Sequence, residues 1–396
     1  MRARTLKTGL ATGLVLLVTA PLSYAVDVDD FTRKFVAAYA SGGIKLEYAG
    51  ASEQGDSVTL ENVTLSVEGE TESLGIGDMI FNGVSEDSSG GYLVATVKND
   101  GIAYSSPEFS FSLKDLTVNN LKIPAEAKME TLDDVLYYDS ASTGPVVISA
   151  EGMDVLQIAR STIGLTKAPD GSRMDFKIRA DGLEIDLSDV EDAKAQQAIN
   201  GMGYQHVGGD LVINGYWSPP DGELTLSEYA LTLNDVGRLD LQLSISGYTL
   251  EFVKGMQELQ ERMAAEEDSE KAQQAMGLAM LGMMQQLTFN SLSLRFDDAS
   301  LTNKVLDMAS SQQGMTRDQL VQGLQGMLPF ALAQLQNPEF QQHVTEAVSL
   351  YLGDPKNIEI SARPESPLPF ASLAGAAMGA WQSLPEVLNV KVMANQ

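Results

Sequence analysis

Met276, Met280, Met283 and Met284 recur at i, i+4, i+7 and i+8, which sets four thioethers on one face of a helix. Thioethers are soft ligands that select Cu(I), and the same spacing also gives an adaptable apolar surface. Leu278, Leu281 and Leu287 accompany them, so packing is the first expectation, a tentative apolar binding surface the second and copper the third.

Nucleophilic catalysis needs a base beside the nucleophile. The chain has two histidines, His206 and His343, one in a strand-like stretch beside Gly208-Gly209 and one on a helix beside Gln341-Gln342. No G-x-S-x-G elbow, H-E-x-x-H or S-x-x-K in a recognisable context accompanies them. Carboxylates cluster at Asp133-Asp134, at Asp189 with Glu191-Asp192, and at Asp297-Asp298. A glycosidase would need two such groups across a sugar cleft, with one pKa raised. Only Trp217 and Trp381 offer indole platforms. The plainer reading is solvated acids that cap turns and helices. Hard oxygen ligands also suit Ca²⁺, but the EF-hand spacing is absent and no position is favoured. The sequence therefore assigns no catalytic residue, no metal ligand and no cofactor; an acidic-residue hydrolase remains a lesser alternative.

Arg2, Arg4 and Lys7 precede an uncharged, mostly apolar run from Thr8 to Ala20, then Pro21 and the small-x-small triplet Ser23-Tyr24-Ala25. This order is that of a cleavable signal peptide, with the cut expected between Ala25 and Val26. Export implies a periplasmic protein. Removing residues 1–25, which hold three basic and no acidic side chains, takes the formal charge from −28 to −31. Such a surface repels nucleic acid and anionic headgroups. The absence of cysteine excludes disulfides, thiol catalysis and thiolate metal sites. Leu368 to Trp381 is the most apolar later stretch; its 14 residues predict a buried helix rather than a transmembrane span.

The remainder divides near residue 250 into a β-rich region, 26–250, and a helical region, 251–396, whose short strands rejoin the sheet. Asp29 and Asp30 are placed to cap a helix with an apolar face of Phe31, Phe35, Val36 and Tyr39. Strand alternation then dominates. In three places two apolar sets are separated by three residues instead of two: Val58, Leu60 then Val63, Leu65; Phe111, Leu113 then Leu116, Val118; Ile178, Ala180 then Leu183, Ile185. The inserted pairs are Glu61-Asn62, Lys114-Asp115 and Asp181-Gly182. A straight strand would turn the second set to the opposite face, whereas one extra residue in a bulge keeps both sets together. Asn99-Asp100-Gly101, Pro169-Asp170-Gly171 and Pro220-Asp221-Gly222 read as turns between strands. A helix capped by Ser188 or Asp189 and closed by Asn200-Gly201 is expected to interrupt the sheet. Thr316 with Gln319, and Asn337-Pro338, mark two later helix starts. Ile358-Ile360 and Val390-Val392 read as closing strands. The fold expected is α+β: a curved, bulged antiparallel β-sheet with C-terminal helices packing on it.

Phe296-Asp297-Asp298-Ala299-Ser300-Leu301, Val305-Leu306-Asp307, Gly353-Asp354-Pro355-Lys356, Leu384-Pro385 and Ala394-Asn395 resemble a family of uncharacterised exported proteins of alphaproteobacteria. Leu231 through Thr249 resembles it too. The resemblance covers the C-terminal half or more and implies a Gram-negative periplasm, with no catalytic residues to carry over. The strand rhythm is more loosely similar to AsmA-like envelope proteins, whose sheets form grooves for lipid. Two functions follow as expectations. One is a non-enzymatic envelope protein that binds lipid or another apolar ligand on its sheet. The other is a structural or protein-interaction module of the envelope, its apolar face filled by helices such as 317–335, 338–352 and 367–381.

Overall fold

The computed structural model describes residues 26–67, 73–265, 277, 279–280 and 282–396. Ala25 of the expected cleavage pair and Met276 of the methionine quartet lie outside them.

Helix α1, Val28–Ala40, comes first. Strands β1 (Ile44–Glu47), β2 (Gly50–Gln54), β3 (Ser57–Val67), β4 (Ser73–Glu86), β5 (Tyr92–Ser105) and β6 (Phe109–Ile123) follow. Then come β7 (Ser140–Thr143), β8 (Val146–Ala150), β9 (Met153–Lys167) and β10 (Met174–Asp186). Helix α2 (Ala193–Met202) separates these from β11 (His206–Ser218), β12 (Glu223–Leu233) and β13 (Gly237–Ser246). Beyond residue 250, α3 (Leu250–Ala265), α4 (Leu301–Gln312), α5 (Arg317–Leu332), α6 (Pro338–Gly353), α7 (Phe370–Gly379) and α8 (Leu384–Val387) alternate with strands. Those strands are β14 (Thr288–Asp298), β15 (Asn357–Ala362), β16 (Leu368–Pro369) and β17 (Val390–Ala394).

The seventeen described strands join one antiparallel sheet that runs as a meander. β1 and β2 both pair with β3, β7 and β8 each lie between β6 and β9, and otherwise each next strand lies beside the last up to β15, with β17 beyond it. Strands from residues 288 to 394 thus complete the same sheet as the N-terminal ones, as expected for Ile358-Ile360 and Val390-Val392.

The three-residue steps do what the spacing predicts. In β3, Val58, Leu60 and Val63 are all fully buried, while Glu61 and Asn62 between them are exposed. Asn62 has φ 51° and donates its N–H to Asp78 Oδ1 at 2.9 Å. The ladder to β4 shifts between Leu60 and Val63. A left-handed residue in mid-strand resets the alternation, so both apolar sets face one core. Gly182 (φ 67°) does the same between Ala180 and Leu183, both buried. Asp115 (φ 53°) marks the third expected site. The device recurs beyond those three, at Gly77 between Ile76 and Met79, Gly83 between Phe81 and Val84, and Asn120 between Val118 and Leu121.

Four expectations need correction. Asn99-Asp100-Gly101 is no turn and lies inside β5. Buried Asn99 donates its amide to the carbonyls of Ile76 and Asp78 at 2.6 and 2.8 Å, and so stitches β5 to the kinked part of β4. Helix α2 is capped by Asp192, which accepts from Ala195 N at 2.7 Å, rather than by Ser188 or Asp189. Ser188 instead donates its N–H to Asp186 at the end of β10. Helix α1 is capped by Asp27, with Asp29 and Asp30 in its first turn. Finally, α7 contains no buried residue, because only the start of the helix meets the sheet, where Phe370 contacts Phe289. The capping box of Thr316 with Gln319 and the Asn337 cap are present. Among the described residues, no helix is long and apolar enough to cross a membrane.

Candidate functional site

Directly opposed residues on neighbouring strands point to the same side of a sheet. Followed from strand to strand, the pairings trace one unbroken row. It starts Val58, Phe81, Val97, Val118 and Ala141 on β3 to β7. It continues through Ile163, Ile178, Ile213 and Tyr229 on β9 to β12. It ends with Leu241, Leu294, Ile360 and Val392 on β13, β14, β15 and β17. Every member is apolar or aromatic, across thirteen strands that stand about 4.8 Å apart. A second row, Leu211, Leu231, Leu239, Phe296 and Ile358, runs beside it.

The opposite side of the same strands is polar. In β13, Leu239, Leu241 and Leu243 alternate with Arg238, Asp240 and Gln242. Arg238 bridges Glu228 on β12 at 2.6 Å and Asp240 at 2.9 Å, and Asn214 donates to Glu228 at 2.6 Å. The hydrogen bond from Arg238 holds the Glu228 carboxyl below the usual range. Arg295 on β14 bonds Asp297 at 2.7 Å and reaches Glu359 on β15 at 3.7 Å. This polar face is itself largely withdrawn from water: Ser293 and Ser361 are buried, and the Asp240 and Glu359 side chains are 15 and 19 % exposed.

Burial along the first row is uneven. Val58 and Phe81 are fully buried because α1 lies over them. Phe31 and Phe35 meet Phe81 edge-on, with ring centroids 5.1 and 5.0 Å apart. A charged latch holds α1 there. Lys34 Nζ lies 2.5 Å from Asp30 Oδ2 and 2.6 Å from the Gly90 carbonyl oxygen, and Tyr92 donates to Asp30 at 2.9 Å. The Lys34 hydrogen bond lowers the Asp30 pKa, while burial with the Asp30 bond raises that of Tyr92. At the other end α6 packs Ala347 and Tyr351 against Phe296, Ile358, Val392 and Ala394. Beyond the reach of these covers the face comes to the surface, even on β14 and β15. Tyr229, Leu239, Leu294 and Ile360 are 39, 42, 38 and 45 % exposed, although each stands in line with buried members of its rows or their neighbours.

The methionines behave differently. Met280 is exposed, and Met283 and Met284 are half-buried. Met283 Cε lies within reach of the α3 backbone at Gly255, so this thioether packs between helices. Among the described residues no cluster of His, Asp or Glu is arranged to hold a metal ion. Asp133 is bound by Lys122 and Lys167 at 3.1 and 2.5 Å, and Asp134 accepts from Thr131. Asp298 Oδ1 accepts from Thr302 N at the start of α4. A cleft of about 580 Å³ gathers Glu108, Glu151, Asp154, Asp186, Asp189 and Glu191 around exposed Met153. His206 sits beside it, 3.5 Å from Asp186, whereas His343 lines a separate cleft with Gln382 and Lys391. Ser188 hydrogen bonds hold Asp186 below the ordinary range, the reverse of what a general acid needs.

The sequence missed the row as a unit. Val58, Val118 and Ile178 lie in stretches whose alternation the sequence shows, the strands of Phe81, Val97, Ile163 and Ile213 carry no such signal in that reading, and only the register aligns Ile178 with Leu241 and Leu294.

A family model described as an uncharacterized protein matches residues 230–395, from within β12 to the end of β17. No curated protein matches the chain. The matched stretch includes Leu231–Thr249 and the segments from Phe296 to Asn395 that carry the resemblance noted in the sequence, and it holds the exposed part of the apolar rows beyond Ala230.

Proposed function

We propose that this protein is a non-enzymatic envelope protein, exported to the periplasm, that binds lipid or another apolar ligand on the apolar face of its sheet. One observation carries the reading: a row of apolar side chains across thirteen strands that α1 covers at its first strands and that stays partly or largely exposed over most of the rest. Strongly twisted open sheets beyond ~10 strands curl, split or flatten, and curling is the outcome that inserted residues favour. Left-handed residues inserted along one face add bend and twist. Both arguments favour a concave apolar face, the geometry that AsmA-like envelope proteins use. No polar group along the first row, apart from the Tyr229 hydroxyl, would select a hydrophilic ligand. The ligand class that fits is an acyl chain or another long, uncharged hydrocarbon.

Native mass spectrometry of the protein purified from the envelope of producing cells tests this. Co-purifying lipid, released on denaturation, is the expected result. Clean apo protein from every preparation contradicts it.

The alternative, a structural or interaction module, has one observation in its favour: α6 already covers Phe296, Ile358 and Ala394. In-cell crosslinking would then recover a reproducible protein partner through this face, without lipid.

A further inference from the structure

Beyond residue 26, the three longest stretches without Asp, Glu, Lys, Arg or His all fall in the last third of the chain, at 272–294, 319–338 and 366–385. Elsewhere in this acidic protein no such run exceeds about half their length. The fold brings the three together. Phe289, in the first, contacts Phe370 at the start of α7, with ring centroids 6.3 Å apart. The turn after α5, Ala333–Leu335, meets the turn after α7, Trp381–Ser383. On two of these uncharged stretches stand the two most exposed large apolar side chains among the described residues, Phe330 at 82 % and Met378 at 84 %. Met327 and Trp381 are exposed beside them in sequence.

We propose that the surface formed by α5, α7 and the turns that follow them docks on the interfacial zone of a lipid bilayer with little net charge. Three arguments choose this occupant. Phe330 and Met378 project from their helices, which suits a soft phase that closes around them. Indole rings such as Trp381 settle at headgroup level. A second copy would bring together two chains that each carry a net charge of −28, and an anionic leaflet would meet the same repulsion. A zwitterionic bilayer meets none, and the absence of charge from 319–338 and 366–385 lowers the desolvation cost of approach. This inference does not rest on the sheet face carrying a ligand.

The test is flotation of the purified full chain with phosphatidylcholine vesicles and with vesicles rich in phosphatidylglycerol. A parallel sample carries Phe330→Glu with Met378→Glu, and a control carries Leu241→Gln on the sheet face. Flotation with phosphatidylcholine, weaker flotation with phosphatidylglycerol, at least a tenfold loss in the double variant and retention in the Leu241→Gln control support the proposal. Unchanged thermal melting of the double variant excludes misfolding as the cause; at such exposed positions it is expected. No flotation overturns the proposal. So does equal flotation by the double variant, or loss only in the sheet-face control. A solution dimer that the double variant disperses, without vesicle binding, reassigns the surface to a second copy.

Discussion

A Cβ placed on Gly83 would come within 2.8 Å of the Ala95 Cβ on the next strand, and Gly182 stands in the same relation to Ala159 at 2.9 Å. Both glycines are in the left-handed region, at φ 65° and 67°, and each lies where the apolar alternation is reset. The close approach needs both features of glycine: its freedom at positive φ and its missing side chain. These pairs are the hinges on which a common apolar face depends.

Gly83→Val and Gly182→Val should therefore each destabilise the protein by about 2–4 kcal/mol, from backbone strain plus the contact with alanine. Asn62→Gly, at φ 51° with an exposed side chain, should change stability by about 0.5 kcal/mol or less. Urea unfolding followed by circular dichroism measures both, and equal effects would dissociate the glycines from the kinks.

Phe31→Ala removes a fully buried ring that touches Phe81 and Tyr92. A loss of about 3–5 kcal/mol is expected. Hydrogen exchange should also rise first in β4 and β5, where α1 seals the row. A loss under ~1 kcal/mol would mean that α1 is not a structural cover.

Exposed members of the row answer differently. Leu239→Gln and Leu294→Gln should each cost about 1 kcal/mol or less, since neither side chain is fully withdrawn from water. Both should weaken binding of a fluorescent apolar probe severalfold. Unchanged probe binding would place the apolar site elsewhere.

Asp30, Asp133 and Glu228 all titrate below their ordinary values, through hydrogen bonds from Lys34, Lys167 and Arg238 respectively. A carboxylate with a depressed folded pKa stabilises the fold above its unfolded pKa, and that stability disappears as pH falls through the folded value. Stability should thus be flat from about pH 7 to pH 5 with respect to these groups and decline below about pH 4. The difference between wild type and Asp30→Asn in urea midpoint should be largest near neutrality and shrink as pH falls below about 4. A difference that grows in acid would contradict the latch.

Much of the local architecture was legible in the residues. Glu61-Asn62 and Asp181-Gly182 announce their bulges because polar insertions interrupt an otherwise strict alternation. The steps at Gly77, Gly83 and Asn120 escaped notice: two rest on single glycines, and Asn119-Asn120 was not read as an insertion. Asn99-Asp100-Gly101 has turn chemistry, yet its asparagine satisfies carbonyls opened by the neighbouring kink, a tertiary use that no local rule reveals. The apolar face was legible in some of its strands, such as those of Val58, Val118 and Ile178. Its continuity was not, because pairing Leu241 with Leu294 is a non-local fact of register. The methionine spacing was plain; Met283 Cε lies near Gly255 of α3, and Met280 is exposed.

Leu241 and Gln242 are adjacent in β13 and point to opposite faces of the sheet. A photoreactive residue placed at each in turn, irradiated in producing cells and followed by lipid mass spectrometry, interrogates the two faces of one strand. The account predicts a lipid adduct at position 241 and none at 242. Adducts at neither position, or equally at both, would contradict a sheet that carries its ligand on one side.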